Sequence, residues 1–224
     1  MTSRTPIALA LASLLLTAGC GSDQAVQTPQ PPKPDVAGRV VQGDTFLGFQ
    51  LLSGLAGEVR TDPATFSGDS PGLYPDPQKA ATALRQDAFV AGIAKIFKAP
   101  RGVGAAGSIV VQMKDAQGAA AEFRRQVAAA QALPCPEAKC ARKAERFAVK
   151  GLPDATGVDL KSTFAHEVTR DGMTFRATDD LAIVFTKGAF VYQLFAGGPG
   201  MNRKRDSLVS AAQAQYYRVP RGSA

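Results

Sequence analysis

The sequence of 224 residues contains one histidine, three cysteines and no tryptophan, and these shortages limit the chemistry that it can support. Hydrolysis and group transfer usually need a positioned general base. His166 stands between Ala165 and Glu167 in a strand-like pattern, and no G-x-S-x-G sequence precedes a helix. A packed or surface histidine therefore explains His166 better than a catalytic triad does. We predict that the chain is not an enzyme and has no catalytic residue.

Patterns that bind phosphate, metals or nucleic acid are also missing from the sequence. Gly102, Gly104 and Gly107 come before a predicted strand and not between a strand and a helix, so they offer no helix N-terminus to a phosphate. A zinc site would need more ligands than the histidine and the cysteines supply. The basic residues are spread along the chain, with only Arg203-Lys204-Arg205 as a cluster. We therefore expect no cofactor, no metal and no nucleic-acid partner.

The most specific pattern lies at the N-terminus. Arg4 is followed by an apolar run over residues 7–16, which is too short for a permanent membrane-spanning helix and is typical of a secretory signal. The run ends in Leu16-Thr17-Ala18-Gly19-Cys20, which resembles the lipobox of bacterial lipoproteins, although many members have leucine where Thr17 stands. The resemblance implies that residues 1–19 are a cleaved signal peptide and that the Cys20 thiol receives a diacylglycerol. The alternative is an ordinary signal peptide with a cysteine nearby.

The lipobox resemblance also implies a place for the mature chain. It would be anchored by lipid on the outer face of the cytoplasmic membrane, or on an outer membrane if the host has one. Removal of residues 1–19 takes away Arg4, so the formal net charge falls from +7 to +6, which is compatible with an anionic membrane surface. Residues 20–37 are rich in proline and glutamine and predict an extended tether. Residues 38–224 are enough for one globular domain.

Two further cysteines, Cys135 and Cys140, remain after Cys20 is assigned to the lipid. Thiols outside the cytoplasm oxidise, so we predict a structural disulfide between them. A redox pair would be expected as C-x-x-C, and a zinc site would lack ligands. Those two alternatives are therefore weaker than the disulfide.

The apolar periodicity predicts helices and strands along the domain. Helices are predicted over residues 78–98, 116–133 (with Asp115 as N-cap) and 205–217, and strands over residues 45–52, 108–113, 145–149, 163–169, 173–177, 181–186 and 189–195. Asp171-Gly172 and Lys187-Gly188 predict hairpin turns, and Asp179-Asp180 is interpreted as a further turn.

A segment rich in turn residues, 61–77, is predicted to be a long loop. Loops of this length inside a domain are uncommon and often functional. Its aromatic residues Phe66 and Tyr74 could anchor the loop to the core or contact a ligand, and anchoring is the safer interpretation. We nevertheless name the loop as a candidate recognition surface, because loops on a rigid scaffold commonly carry binding.

The order of elements predicts an α+β fold, in which an antiparallel sheet carries helices packed on one face. Over residues 78–217 this layout, together with the cysteine loop, loosely resembles sensor-like and ligand-binding domains of actinobacterial lipoproteins and of the outer parts of membrane kinases. The resemblance implies a non-catalytic binding or sensor module that meets an envelope protein or a cell-wall polymer.

The alternative binding function is a carrier of a small apolar or lipid-like ligand, and a structural spacer or an envelope hydrolase ranks lower. Seven strand residues supply apolar surface that is either core or ligand contact: Phe164, Met173, Phe175, Phe185, Phe190, Tyr192 and Phe195. A deep apolar cavity would favour the carrier, and a filled core would favour a binding surface.

Overall fold

The computed structural model describes residues 33–52, 57–70, 72–99, 102–135 and 139–218. The predictions for the signal peptide, for Cys20 and for most of the tether lie outside these residues. The strands are β1 (Thr45–Phe46), β2 (Phe49–Leu51), β3 (Phe89–Lys98), β4 (Ala105–Met113), β5 (Cys140–Ala148), β6 (Ala155–Arg170), β7 (Met173–Lys187) and β8 (Phe190–Gly198). The helices are α1 (Pro63–Asp69), α2 (Pro77–Gln86), α3 (Ala116–Gln131) and α4 (Arg205–Arg218), and a 3₁₀ turn, Met201–Lys204, precedes α4.

In the described part of the chain, the strands form one antiparallel sheet in the order β1-β2-β3-β4-β8-β7-β6-β5. The hairpins β5–β6, β6–β7 and β7–β8 form a continuous meander, and β8 pairs with β4 to join it to the N-terminal strands. The predicted α+β class with an antiparallel sheet is confirmed.

Helices cover both faces of the sheet, so their expected placement on one face is wrong. α1, α2 and α3 pack with alternate sheet residues such as Val184 and Val191. α4 packs on the opposite face, where Leu208 and Ala212 contact the cluster that contains Phe185. The central strands therefore bury both of their faces, which explains why β4 is a continuous apolar run.

The predicted helix over 78–98 is wrong in its second half. α2 ends at Gln86, Ala88 has a left-handed φ of 56°, and the chain then continues as β3. β3 pairs with β4 along nearly its whole length. A short apolar run fits a helix or a buried strand equally well, and here the pairing with β4 decides for the strand.

The predicted loop over 61–77 contains α1 and the start of α2, so its description as a loop is corrected. The Asp62 carboxylate accepts from the Thr65 amide at 2.7 Å, and the Asp76 carboxylate accepts from the Lys79 amide at 3.0 Å. In both cases a proline follows the capping aspartate and occupies the first helical position. The Asp-Pro pairs that suggest turns in the sequence therefore begin two short helices.

Asp179-Asp180 is not a turn, because both residues lie inside β7 and pair with Gly198 and Gly197 of β8.

Two other local predictions are confirmed. The Asp115 carboxylate accepts from the Gly118 amide at 2.9 Å and caps α3. The β6–β7 turn has left-handed residues at Asp171 and Gly172, with φ values of 50° and 76°.

Residues 33–37, which were assigned to the tether, contact the domain. Val36 is buried in the core that α4 covers. The Asp35 amide donates to Gln112 Oε1 at 2.8 Å, and Gln112 Nε2 donates to the Lys33 carbonyl at 3.1 Å. Packing of the chain against the sheet therefore begins a few residues before the predicted boundary at Gly38.

None of the described helices is both long and apolar enough to cross a bilayer.

Candidate functional site

A cavity of about 520 Å³ lies on the sheet face that α3 covers. Its volume is within the range of about 300–1,000 Å³ that small-molecule sites occupy. The described residues that line it are Gly72, Leu73, Val103, Gly104, Ala105, Ile109, Ala130, Leu133, Pro134, Cys135, Arg142, Val158, Phe164, Arg170, Phe175, Thr178, Asp180, Leu181, Ala182, Gln193, Phe195, Ala196, Gly197 and Gly198. Most of these are apolar, and the polar side chains are few.

The floor of the cavity is made by side chains that alternate along the central strands. Residues two apart in a strand share a face, so Thr178, Asp180 and Ala182 of β7 all face α3. Phe195 of β8 pairs with Ala182, and its ring lies against Gly107 of β4, where a Cβ would overlap the ring. The missing side chain at Gly107 therefore positions an aromatic wall of the cavity.

Arg142 organises a polar cluster at the end of the cavity near β5. In the strand register Arg142 pairs with Ser162, and Ser162 pairs with Thr178. Arg142 Nε donates to Ser162 Oγ at 2.8 Å, and Nη2 donates to Asp180 Oδ2 at 3.2 Å. Nη1 donates to the Leu133 and Pro134 carbonyls of the segment after α3. These bonds hold the guanidinium in place and tie that segment to the sheet.

The Arg142–Asp180 pair lies in surroundings that disfavour charge. Burial raises the pKa of Asp180, with a further increase from Asp179, and Arg142 only partly opposes this change. Burial also lowers the pKa of Arg142 despite the attraction of Asp180. The two shifts have the same cause, since desolvation outweighs pairing for both groups. Perturbed groups of this kind in a cleft are typical of functional sites.

Two polar atoms in the cavity lining have no hydrogen-bond partner: Thr178 Oγ1 and Gln193 Oε1. Both residues are only 7% exposed. Gln193 lies opposite Val184, which is six residues along β7 from Thr178, or about 20 Å at the rise of a strand. The two unpartnered atoms therefore lie far apart along the cavity, and Phe175 and Arg170 continue the lining beyond Thr178 toward the hairpin tip.

The rim of the cavity combines a covalent link and a long hairpin. A disulfide joins Cys135 and Cys140, as predicted, and Cys135 lines the cavity. On the β6–β7 hairpin, the rings of Phe164 and Phe175 pack edge to face with centroids 5.8 Å apart. At the tip of that hairpin Met173 lies so close to Gly102 that a Cβ there would overlap its sulfur.

The aromatic residues of the predicted recognition loop are placed in the core. Phe66 is 1% exposed and stacks on Phe89 with ring centroids 5.4 Å apart. Tyr74 is 6% exposed and donates to Glu122 Oε1 at 2.5 Å. Both side chains anchor their segment and present no binding surface. Of the described residues of the segment, Gly72 and Leu73 line the cavity.

The other residues considered from the sequence divide between core and cavity. Phe185, Phe190 and Tyr192 pack under α4 as ordinary core. Phe164, Phe175 and Phe195 line the cavity, and Met173 is partly exposed at the hairpin tip.

His166 is exposed on β6 and does not line the cavity. Within the described residues, no group of three or more histidine, cysteine or acidic residues could hold a metal ion.

Sequence reasoning missed the polar cavity residues Arg142, Thr178, Asp180 and Gln193. Gln193 did leave a signal, because it interrupts an otherwise apolar strand at an inward position, whereas Asp180 follows other polar residues of β7. Their significance depends on which face the cavity occupies, and the pattern along one strand does not contain that information.

No protein-family model matches the chain, and no curated protein does. Among solved structures, the chain is similar to the extracellular domain of PknH from Mycobacterium tuberculosis, with 14% sequence identity. The match covers 69% of this chain and 74% of that one, with a TM-score of 0.39. This likeness is too remote to carry an argument about function.

Proposed function

We propose that this chain is a lipid-anchored binding domain of the cell envelope and that its cavity takes a small apolar or lipid-like ligand. The observation that carries the proposal is an apolar cavity in which two nearly buried polar atoms lack partners. A buried polar atom without a partner costs about 1–3 kcal/mol. A ligand that fills the space and supplies those partners would recover this energy.

The lining favours binding over catalysis. Its polar side chains are Arg142, Arg170, Thr178, Asp180 and Gln193, and among the described lining residues there is no histidine or free thiol. A few placed polar groups in an apolar wall are what recognition of a small molecule needs. The domain therefore acts by holding its ligand, as a carrier or as the sensing part of an envelope complex.

The anchor belongs to the same proposal and is supported by the sequence around Cys20. A lipid on Cys20 would keep the domain beside a membrane, where lipid-like molecules are concentrated. The chain without residues 1–19 has a formal net charge of +6, since Arg4 is lost from the +7 of the full sequence, and this charge favours an anionic surface. Display of a surface to an envelope protein or a cell-wall polymer is compatible with this position, but the cavity supports the ligand carrier more directly.

The chain has no tryptophan, so a single introduced indole reports on its own surroundings. Leu133→Trp places the indole at the cavity rim, where Leu133 is half-buried. Tyr217→Trp is the matched control, because Tyr217 is 70% exposed on α4 and does not line the cavity. N-phenyl-1-naphthylamine, a neutral apolar probe, is titrated into each variant.

We expect saturation at one probe per chain and a blue shift of indole emission in Leu133→Trp only, because the probe displaces water from the rim. Wild-type protein should bind the same probe with the same stoichiometry, seen by the increase in probe fluorescence. Absence of saturable binding to wild type, or equal shifts in both tryptophan variants, would contradict the proposed function.

A further inference from the structure

We infer that the ligand is a neutral amphiphile with a hydroxylated head, and that the head binds at the polar cluster around Thr178 and Asp180. This inference rests on the proposed function and adds the chemical class and orientation of the ligand. It is argued from the hydrogen-bonding capacity of the lining groups, their charges and the strand register.

The groups of that polar cluster require a partner that both donates and accepts. The Thr178 hydroxyl has no partner and can do either. Asp180 accepts from Arg142 through Oδ2, and its side chain remains 31% exposed. Gly197 makes room for Oδ1, since a Cβ there would overlap this oxygen. A ligand hydroxyl can donate to the carboxylate and accept from Thr178, which an alkyl chain or an ester cannot do.

The charges of the lining disfavour an ionic head. An anion could only accept hydrogen bonds, and it would lie beside the Asp180 carboxylate. The guanidinium of Arg142 is already engaged by Ser162, Asp180 and two carbonyls. A cation beside Thr178 would meet the Arg142 guanidinium, which lies in the same strand register. A neutral hydroxyl avoids both conflicts.

The register also provides an apolar path for the hydrocarbon part. From Thr178 the floor continues through Ala182 to the apolar residues paired with it, Val158 of β6 and Phe195 of β8. Ile109 follows on β4, opposite Gln193. A chain that extends from the polar end therefore lies on apolar side chains until it reaches Gln193.

The test compares three probes that share one acyl chain: monolaurin has a hydroxylated head, methyl laurate has no hydroxyl, and laurate is an anion. Each displaces N-phenyl-1-naphthylamine from wild-type protein at neutral pH. We expect monolaurin to bind about tenfold more tightly than methyl laurate, because the ester leaves the polar cluster unpaired. Laurate should bind more weakly than monolaurin.

Variants then locate the head. Thr178→Val should weaken monolaurin about fivefold and leave methyl laurate unchanged, whereas Thr178→Ser should retain the wild-type affinity. Thr174→Val is the matched control on the same strand, because Thr174 is exposed and does not line the cavity. Asp180→Asn should raise the affinity for laurate relative to monolaurin. Gln193→Leu should not weaken monolaurin.

The outcomes separate this inference from the proposed function. If the apolar probe binds but the three acyl probes compete equally, or if laurate binds most tightly, the hydroxylated head is wrong and the binding function stands. Loss of monolaurin affinity in Gln193→Leu but not in Thr178→Val would place the head at Gln193 and contradict the proposed position of the head. If no probe binds wild-type protein, both proposals fail.

Discussion

Buried polar side chains in this domain divide into those that the chain satisfies and those that it leaves open. Glu122 is completely buried, and its carboxylate accepts from Tyr74, Arg125 and Gln126. These donors oppose the effect of burial, which raises the pKa of Glu122. Thr178 lacks such partners although it is nearly buried and lines a cavity. Gln126 Oε1, beside Glu122, also lacks a partner, so what distinguishes Thr178 is that its hydroxyl lines a cavity where a ligand could bind to it.

The raised pKa of Asp180 predicts a pH dependence of stability. Because the folded state binds this proton more tightly than the unfolded state does, the contribution of Asp180 to the unfolding free energy falls as pH rises from its ordinary pKa of 3.8 through the raised folded value. Asp180→Asn cannot titrate. We therefore expect the stability of the variant relative to wild type to increase as pH rises through that window.

Urea unfolding of both proteins over a pH series measures this difference. The loss of the Arg142 partner also changes the stability of Asp180→Asn, so the informative quantity is the change of the difference with pH and not its value at one pH. A stability difference that stays constant across this pH range would contradict the raised pKa of Asp180 in the folded state.

Some elements pack closely because a glycine leaves room for a side chain of the neighbouring element. β3 carries Gly92, and the ring of Phe66 from α1 lies directly over it. The same contact brings Phe66 onto Phe89, so α1 packs on β3 through one aromatic residue. The local sequence of α1, with Asp62 and the following proline, explains why the helix begins there, but Gly92 explains where it packs.

Gly92→Ala should lower the unfolding free energy by about 2 kcal/mol, because the new methyl group would overlap the Phe66 ring in a packed interior. Gly38→Ala is the matched control, since no atom lies within 4 Å of the added carbon and its φ is not in the left-handed region. Urea unfolding at neutral pH compares both with wild type. Equal stability of the two variants would show that α1 can move without cost.

The Cys135–Cys140 disulfide closes a short loop between α3 and β5, so its expected contribution is modest. Replacing both cysteines by serine should lower the unfolding free energy by about 2 kcal/mol or less and leave the far-UV circular dichroism unchanged. Because Cys135 lines the cavity, the double variant should also bind the apolar probe more weakly. Unfolding of the double variant at ambient temperature would contradict this estimate, and rapid alkylation of both thiols in native wild-type protein would contradict the disulfide.

On the scale of the whole molecule, the cavity follows from how the helices are distributed over the sheet. α4 and the segment from Val36 cover one face with a continuous core. On the other face α3 covers the central strands, and the long β6–β7 hairpin continues beyond it. The space between α3, this hairpin and the residues Val103 and Gly104 before β4 is the cavity.

The lipid anchor is the prediction that belongs to this scale. Metabolic labelling with a clickable fatty acid should mark the wild-type chain, and Cys20→Ser should be unlabelled and retain its signal peptide. Cys135→Ser is the matched cysteine control and should be labelled like wild type. Equal labelling of Cys20→Ser would contradict the lipobox interpretation, without bearing on the cavity.

The sequence by itself determined the features that depend on neighbouring residues. The N-cap at Asp115, the Asp171-Gly172 turn and the run of β4 were all predictable, because capping, turn geometry and burial act over a few residues. The α+β class followed from the order of such elements. The cysteine pairing followed from the small number of cysteines.

Only the tertiary structure decided the rest. Whether residues 89–98 form a strand or a helix depends on pairing with β4, which lies beyond the local sequence. The placement of α4 on the second face decides which alternate residues of each strand are core and which face the cavity. Thr178, Asp180 and Gln193 form a candidate site only because the pairing of β7 with β8 under α3 brings them around one space. Such proximity is set by long-range packing, so no spacing along the chain encodes it directly.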